Sequence, residues 1–435
     1  MIRRVMPLRP VSPDDSGHYF FGYYDKCPWG RNSQHLLAHR ATFIDRSPRP
    51  DDAVEIGYIE SDTGSPRFHA IDRTSAWNWQ QGAQLQWTPA SGSGPQGLIF
   101  NQRTGQHVVT RMLGPNLEPL ATLNLPIYTA CRDGRWGLSL NYARLTAIRP
   151  EYGYAGLVDR HASDPAPKDD GVWRVELATG RSELLVSTAA VVAHHPNPMG
   201  RDAHHYLNHL MFNPSGDRFC FLHRFERPDG ITQSRLFTLG IDGNDLRLLM
   251  EGMVSHYDWR DDHTLLAWAG KRKLLASGPG GGVRIAARRV LKPIYYALGK
   301  PRFLMNRIVG DSYLLIPDEE PSSILHFAKG ELTCDGHCTY SSDRRWIVTD
   351  GYPDLNSRQP LFLWDVTGSQ GYEIGRFLTP PHLDGPVRVD LHPRFNHDAS
   401  AICVDSAMEG RRRMYVVDVA ALTASDAARL GSQCA

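Results

Sequence analysis

Apolar residues along this chain come in short runs split by tight polar turns, which is the period of strands and not of helices. The clearest case is segment 204–224, HHYLNHLMFNPSGDRFCFLHR. Leu210, Met211 and Phe212 lead into Asn213-Pro214-Ser215-Gly216-Asp217, a cluster whose members each favour turns. Phe219, Cys220, Phe221 and Leu222 then run on as a second apolar segment, well short of helix length. The pattern predicts an antiparallel hairpin, with His209 entering, His223 leaving and the two ends side by side.

Hairpins of the same kind recur at 26–40, 84–100, 127–140, 256–268, 337–350 and 392–405, most with an aromatic, a polar turn and an apolar strand. Further strand pairs lie between them, split by DG, TG or SG turns. Units of about four strands, repeating every forty to sixty residues or roughly so, make a β-propeller pattern. The expectation is an all-β, seven-bladed β-propeller, with four-stranded antiparallel blades around a central channel. The chain is then one domain, 1–435, with blades near 18–72, 76–124, 126–188, 204–251, 253–333, 335–380 and 386–422. Insertion 149–170 in the third unit and insertion 276–303 in the fifth are the longest, and the first reads as loop. His194-His195, before Pro196-Asn197-Pro198, also reads as loop, and 421–433 as a short helix.

Composition narrows the function. With 48 basic and 47 acidic residues the chain has no excess of positive charge for nucleic acid. The seventeen Tyr, ten Trp, 39 Gly and 30 Pro fit a turn-rich β protein. Seven scattered cysteines cannot all pair, and they read as reduced thiols. The first residues lack the apolar run of a signal peptide, and no stretch is long enough for a membrane span, so a cytoplasmic protein is expected. Oligomeric state is left open by the pattern.

Aligning the units on the aromatic that ends the first strand sets Trp29, Trp87, Phe212, Trp259, Tyr340 and Phe395 in register, with Ala130 the best fit in the third unit. Three residues earlier stand Lys26, Gln84, Ile127, His209, His256, His337 and His392. The end of the second strand supplies His39, His223, Asp350 and Asp405, with Leu140 and Ala269 in the third and fifth units. In a propeller both positions are expected at one mouth of the channel. Such a ring suits a divalent metal (zinc, manganese or calcium), with Cys338 as a soft ligand beside His256, His337 and His392. It also suits proton transfer near neutral pH. The bland alternative is that a strand-initial histidine hydrogen-bonds the neighbouring blade. Tyr23 and Tyr24 are placed to stack on sugars, and Asp25 and Lys26 to bind hydroxyls or a carboxylate; ordinary core packing is the alternative, and Trp79 and Gln80 present the same choice.

The runs His205-Tyr-Leu-Asn-His209 with Phe-Leu-His223-Arg224, Ser255-His256-Tyr257-Asp258-Trp259, Asp335-Gly-His337-Cys338 and Asp390-Leu-His392-Pro393 resemble the seven-bladed β-propeller polysaccharide lyases. That group includes ulvan lyases, rhamnosyl-glucuronate lyases and, more distantly, oligogalacturonide lyases. The resemblance implies β-elimination next to a uronic acid in an oligo- or polysaccharide, leaving an unsaturated uronate. It implies His209, His223, Tyr257 and Arg272 as catalytic residues, with His204 or His205 as alternatives to His209, and Arg224 or Arg260 as alternatives to Arg272. It implies a metal at His256, His337, Cys338 and His392. Tyr24, Lys26, His39, Arg40, Trp79, Gln80, His205 and Arg224 complete the expected substrate contacts. Two other classes compete: a hydrolase using Asp350 and Asp405, and a non-catalytic propeller that binds glycan or protein.

Overall fold

A computed structural model describes residues 1–60, 64–88, 96–270 and 310–424. The hairpin at 204–224 forms as its pattern predicts, pairing strand Tyr206–Phe212 with strand Arg218–Glu226. Its turn closes because the Asn213 side-chain oxygen accepts the amides of Gly216 and Arg218, at 3.0 and 3.1 Å. Gly216 takes φ +78°, a conformation that a side chain would strain.

The described strands build six sheets, all antiparallel except for one added edge strand. The first runs His18–Phe20, His35–Ala41, Val54–Glu60 and Arg67–Thr74; the second spans residues 86–123 and the third 129–187. The fourth has seven strands, because the long strand Arg247–Asp261 pairs with Thr232–Gly240 through its first half and with Thr264–Gly270 through its second. The fifth spans 339–378 and the sixth 394–418. Inner strands are short: Gln86–Trp87, Thr129–Ala130, Thr339–Tyr340 and Arg394–Phe395 have two residues each. Apolar side chains fill the spaces between sheets, for example Leu222, Leu236, Tyr257 and Leu265 in one continuous cluster.

The N-terminus does work that its sequence does not announce. Leu8–Pro10 pairs antiparallel with Arg413–Asp418 as the outer strand of the sixth sheet. Ile2–Arg3 pairs parallel with Gln370–Leu378 on the edge of the fifth. Both ends of the chain therefore share one sheet, which closes the arrangement and covers two strand edges. Insertion 149–170, after helix Tyr142–Ile148, is loop apart from one 3-10 turn at Pro150–Tyr152, as its sequence suggests. The loop reading of His194 needs correction: it ends helix Thr188–His194, started by the Ser187 side chain accepting the Ala190 amide. The C-terminal helix is described over Ala420–Thr423, and insertion 276–303 lies outside the described residues. None of the six described cysteines is paired, and no helix among the described residues is long and apolar enough to cross a membrane.

Candidate active site and metal centre

Bulges aim two of the repeat-position histidines. In strand Tyr206–Phe212 the register slips between Asn208 and Met211, and His209 sits in the slip at φ +56°. In strand Arg247–Asp261 it slips between Val254 and Tyr257, around His256. An extra residue turns a side chain out of the pleat, which is how bulges serve functional sites. His392, just before strand Arg394–Phe395, reaches the same end with φ +43°. A positive φ on a non-glycine costs free energy, of order 1–3 kcal/mol, and persists where packing over-determines it.

Segment 21–29, leaving strand His18–Phe20, crosses the centre and holds these strands together. Asp405 accepts the Phe21 and Gly22 amides at 3.2–3.3 Å, and Arg394 donates to the Tyr23 carbonyl. The Tyr24 hydroxyl accepts the Tyr257 amide at 2.9 Å and donates to the Tyr257 carbonyl at 3.0 Å, so one phenol serves both backbone groups of the residue that follows the bulge. It also lies 3.3 Å from His209 Nε2. Tyr257 stacks on the His209 ring, centroids 4.2 Å apart, and donates to the His209 carbonyl. Lys26 pairs with Asp25 at 3.0 Å over the Tyr128 ring.

The other three histidines form a row. The His256 and His337 rings lie 4.1 Å apart and those of His337 and His392 4.3 Å. Carboxylates hold the first two by Nδ1: Asp335 at 2.9 Å from His256, and Asp350 at 2.9 and 3.0 Å from His337. That leaves both Nε2 atoms facing away from their anchors. Nitrogen and oxygen ligand atoms of His337, Asp390 and His392 all lie within 4.8 Å of one another. His392 Nε2 is buried with no hydrogen-bond partner, and one Asp390 oxygen is held by Arg388 at 2.7 Å. An orphaned imidazole nitrogen, a second imidazole and a carboxylate fit a divalent cation with borderline or hard preference.

Electrostatics separate the roles. Burial, with the charges of His256, Lys26 and Arg224 added, holds the His209 imidazole well below its usual pKa. Burial does the same to His392, with His337 and Arg394 adding to it. Burial also lowers His256. His337 is the exception: burial opposes its charge, but the Asp350, Asp390 and Asp335 carboxylates together outweigh that and raise it. Burial pushes the Tyr24 and Tyr257 phenols well above their ordinary value, so both stay protonated.

The structure thus gathers His209, Tyr257, Tyr24, His256, His337 and His392, and separates other expected residues from them. His223 and His205 pair with each other at 2.9 Å, and His205 Nε2 lies 2.9 Å from the Gly200 carbonyl. They pack among Phe225 and Phe237, because His223 falls on the opposite face of its strand from Arg224. Cys338 likewise turns away from His337 into a core with Leu266, Trp268 and Tyr313, where burial raises its thiol pKa well above the usual value. His39 stacks on Phe20 and accepts the Ala83 amide at 3.0 Å. Arg40 pairs with Glu55 over Phe68. Trp79 lies in the core, its indole N–H donating to the Arg46 carbonyl at 2.8 Å. Gln80 donates to the Arg388 carbonyl at 3.3 Å. Arg272 lies outside the described residues.

The second repeat position therefore has a different meaning from the ring that was expected. His39 accepts the Ala83 amide just ahead of the second sheet, Asp350 accepts the His392 amide, and Asp405 accepts amides that open the first sheet's segment 21–29. Each ties one sheet's second strand to the start of the next. Asp335 and Asp390 escaped the sequence reading of ligands. The signal was present: each stands two residues before a repeat-position histidine, as Asp335-Gly-His337 and Asp390-Leu-His392.

No protein-family model matches the sequence, and no curated protein matches it. Among solved structures, an oligogalacturonate lyase in complex with manganese gives a TM-score of 0.59 at 14% identity, with 96% of this chain and 98% of the other covered. An oligogalacturonate lyase from Vibrio parahaemolyticus gives 0.58 at 12% identity, with 95% and 97% covered. The β-propeller domain of the Trilobed protease from Pyrococcus furiosus gives 0.44 at 10% identity, with 88% and 89% covered. At these identities the likeness is one of fold: the chain is a β-propeller, similar over nearly its whole length to two oligogalacturonate lyases.

Proposed function

We propose that this protein is a cytoplasmic seven-bladed β-propeller lyase, one domain throughout, that cleaves next to a uronic acid by β-elimination. The count of seven is supported by strand Arg247–Asp261, whose first half pairs with Thr232–Gly240 and whose second half pairs with Thr264–Gly270, so that the seven-stranded sheet can be divided into two blades that share it. The observation that carries the reading is the convergence on Tyr23 and Tyr24 of His209, His256, His337 and His392, which lie far apart in the chain. The fold likeness to oligogalacturonate lyases supports it.

Elimination removes the weakly acidic C5 proton of the uronate, places negative charge on its carboxylate and expels the oxygen at C4. His209, held neutral by burial, has the lone pair of a general base. Tyr24 and Tyr257, held protonated, have the proton that the leaving oxygen needs, and Tyr24 is the one within hydrogen-bond reach of His209. Arg224 lies close enough to lower the His209 pKa by its charge, and a guanidinium there neutralises the uronate carboxylate. His337, His392 and Asp390 would hold a divalent cation, which when bound supplies further stabilisation of carboxylate charge. A hydrolytic reading is weaker, because Asp350 and Asp405 are both committed to backbone amides and neighbouring cations.

The test is product mass. Incubation with a panel of uronate oligosaccharides should give fragments whose masses sum to that of the substrate, with new ultraviolet absorbance from the conjugated uronate. His209→Ala should abolish it. Fragments heavier by one water would overturn elimination.

A further inference from the structure

Insertion 149–170 has no part in the chemistry above, yet its first turn reaches the candidate metal centre. The link is Arg388, whose three guanidinium nitrogens are all engaged. Nε donates to an Asp390 oxygen at 2.7 Å, one Nη to the Gly385 carbonyl at 3.3 Å, and the other Nη to the Tyr152 hydroxyl at 3.3 Å. The backbone of Arg388 is held as well: its carbonyl accepts from Gln80 at 3.3 Å and from Arg412 at 2.9 Å. Tyr152 is buried and meets Tyr23 edge to face, ring centroids 6.3 Å apart. Tyr23 in turn meets His392 at 5.1 Å and His337 at 6.0 Å. The turn, the guanidinium and the three candidate ligands therefore pack as one unit.

Neutralising a buried carboxylate needs one good contact, and the Asp390 side chain, 2% exposed, has it in Arg388 Nε. The two further anchors stop the planar guanidinium from turning, which fixes the direction of the Asp390 carboxylate. A carboxylate free to turn about its last bond would accept a hydrogen bond from the nearest imidazole N–H instead. Held by one oxygen, Asp390 has the other left for a cation shared with His337 and His392, whose ligand atoms lie within 4.8 Å of its own.

We propose that Arg388 and Tyr152 are positioning residues for the metal centre: Tyr152 fixes the Arg388 guanidinium, and Arg388 presents Asp390 to the cation. This rests on the reading of His337, Asp390 and His392 as cation ligands. It gives insertion 149–170 a hold on metal affinity through two residues that never touch the metal.

The test reads metal binding, not turnover. Chelator-stripped full-length protein is titrated calorimetrically with manganese and with zinc, and unfolded in urea, as wild type, Arg388→Lys, Tyr152→Phe and Glu151→Gln. Arg388→Lys keeps the charge and loses the fork, so its effect reads position and not net charge; it should bind metal about tenfold more weakly. Tyr152→Phe keeps the ring against Tyr23 and removes one anchor, and should bind about threefold more weakly at a urea midpoint close to wild type. Glu151→Gln changes the same turn at a carboxylate 3.6 Å from Arg149, and should keep wild-type metal affinity. Unchanged affinity in folded Arg388→Lys or Tyr152→Phe overturns the positioning role. An equal loss in Glu151→Gln overturns it too, because that marks a general loosening of the turn. Wild type that binds neither metal overturns the metal centre and this role with it. Metal binding with the expected losses but no unsaturated product overturns the lyase reading and leaves the positioning role standing.

Discussion

Asp350→Asn isolates the carboxylate that holds two candidate metal ligands at once. One Asp350 oxygen accepts the His337 amide at 2.7 Å and lies 2.9 Å from His337 Nδ1; the other lies 3.0 Å from Nδ1 and accepts the His392 amide at 3.2 Å. The side chain is 2% exposed, so water cannot replace what is lost. Asparagine keeps the shape but offers one acceptor and sets an NH2 against one of these donors. Hydrogen bonds to a charged group are worth about 1.5–3 kcal/mol each, and a donor left buried costs about as much. The variant should lose on the order of 3–5 kcal/mol of stability, the range for breaking a buried charged pair. It should also bind manganese or zinc about 10–100-fold more weakly, because the carboxylate orients His337 and raises the basicity of its other nitrogen. The assays are urea unfolding and calorimetric metal titration of chelator-stripped protein. Asp405→Asn is the comparison: it also accepts inner-segment amides and pairs with Arg394, but none of its partners is a candidate ligand. It should lose stability and keep metal affinity. Equal metal affinity in wild type and Asp350→Asn would refute the reasoning.

Three further outcomes follow from the packing. The His39 imidazole is fully buried and its pKa is lowered by burial to about 4, so between pH 6.5 and 4 the unfolded chain takes up a proton that the folded one excludes. Stability should fall by about 3 kcal/mol from this residue as pH drops through that window; His39→Gln, which keeps an acceptor for the Ala83 amide, should flatten the pH dependence of the urea midpoint, and an unaltered slope counts against the assignment. Gly82 has φ +58°, and an added Cβ would lie 2.3 Å from the His39 ring, so Gly82→Ala should cost roughly 2–4 kcal/mol by thermal unfolding. Removing residues 1–10 takes away both edge strands that close the fifth and sixth sheets, and should lower the melting temperature in a calorimetric scan; an unchanged scan would show that closure does not need them.

Strands and turns were legible because they are local. Asn213–Asp217 closes its hairpin through contacts within the turn, and apolar runs on either side need only pair with each other. The repeat position of His209, His256, His337 and His392 was legible for the same reason: each lies at a constant offset from an aromatic on its own inner strand. Facing was not legible from that offset. His223 and Arg224, or His337 and Cys338, are neighbours in sequence that point to opposite sides of a strand, so a one-residue slip exchanges a core side chain for a channel one.

Tertiary structure alone decided the rest. That Asp350 would support His392 as well as His337, that Tyr24 would bind the backbone of Tyr257, and that Leu8–Pro10 would complete a sheet begun at residue 394 are pairings across tens to hundreds of residues. Backbone amides and buried carboxylates can satisfy one another wherever closure brings them together, and residue type alone does not say which partner that will be. Local periodicity sets what each strand is; only the closed ring of sheets sets what each polar group meets.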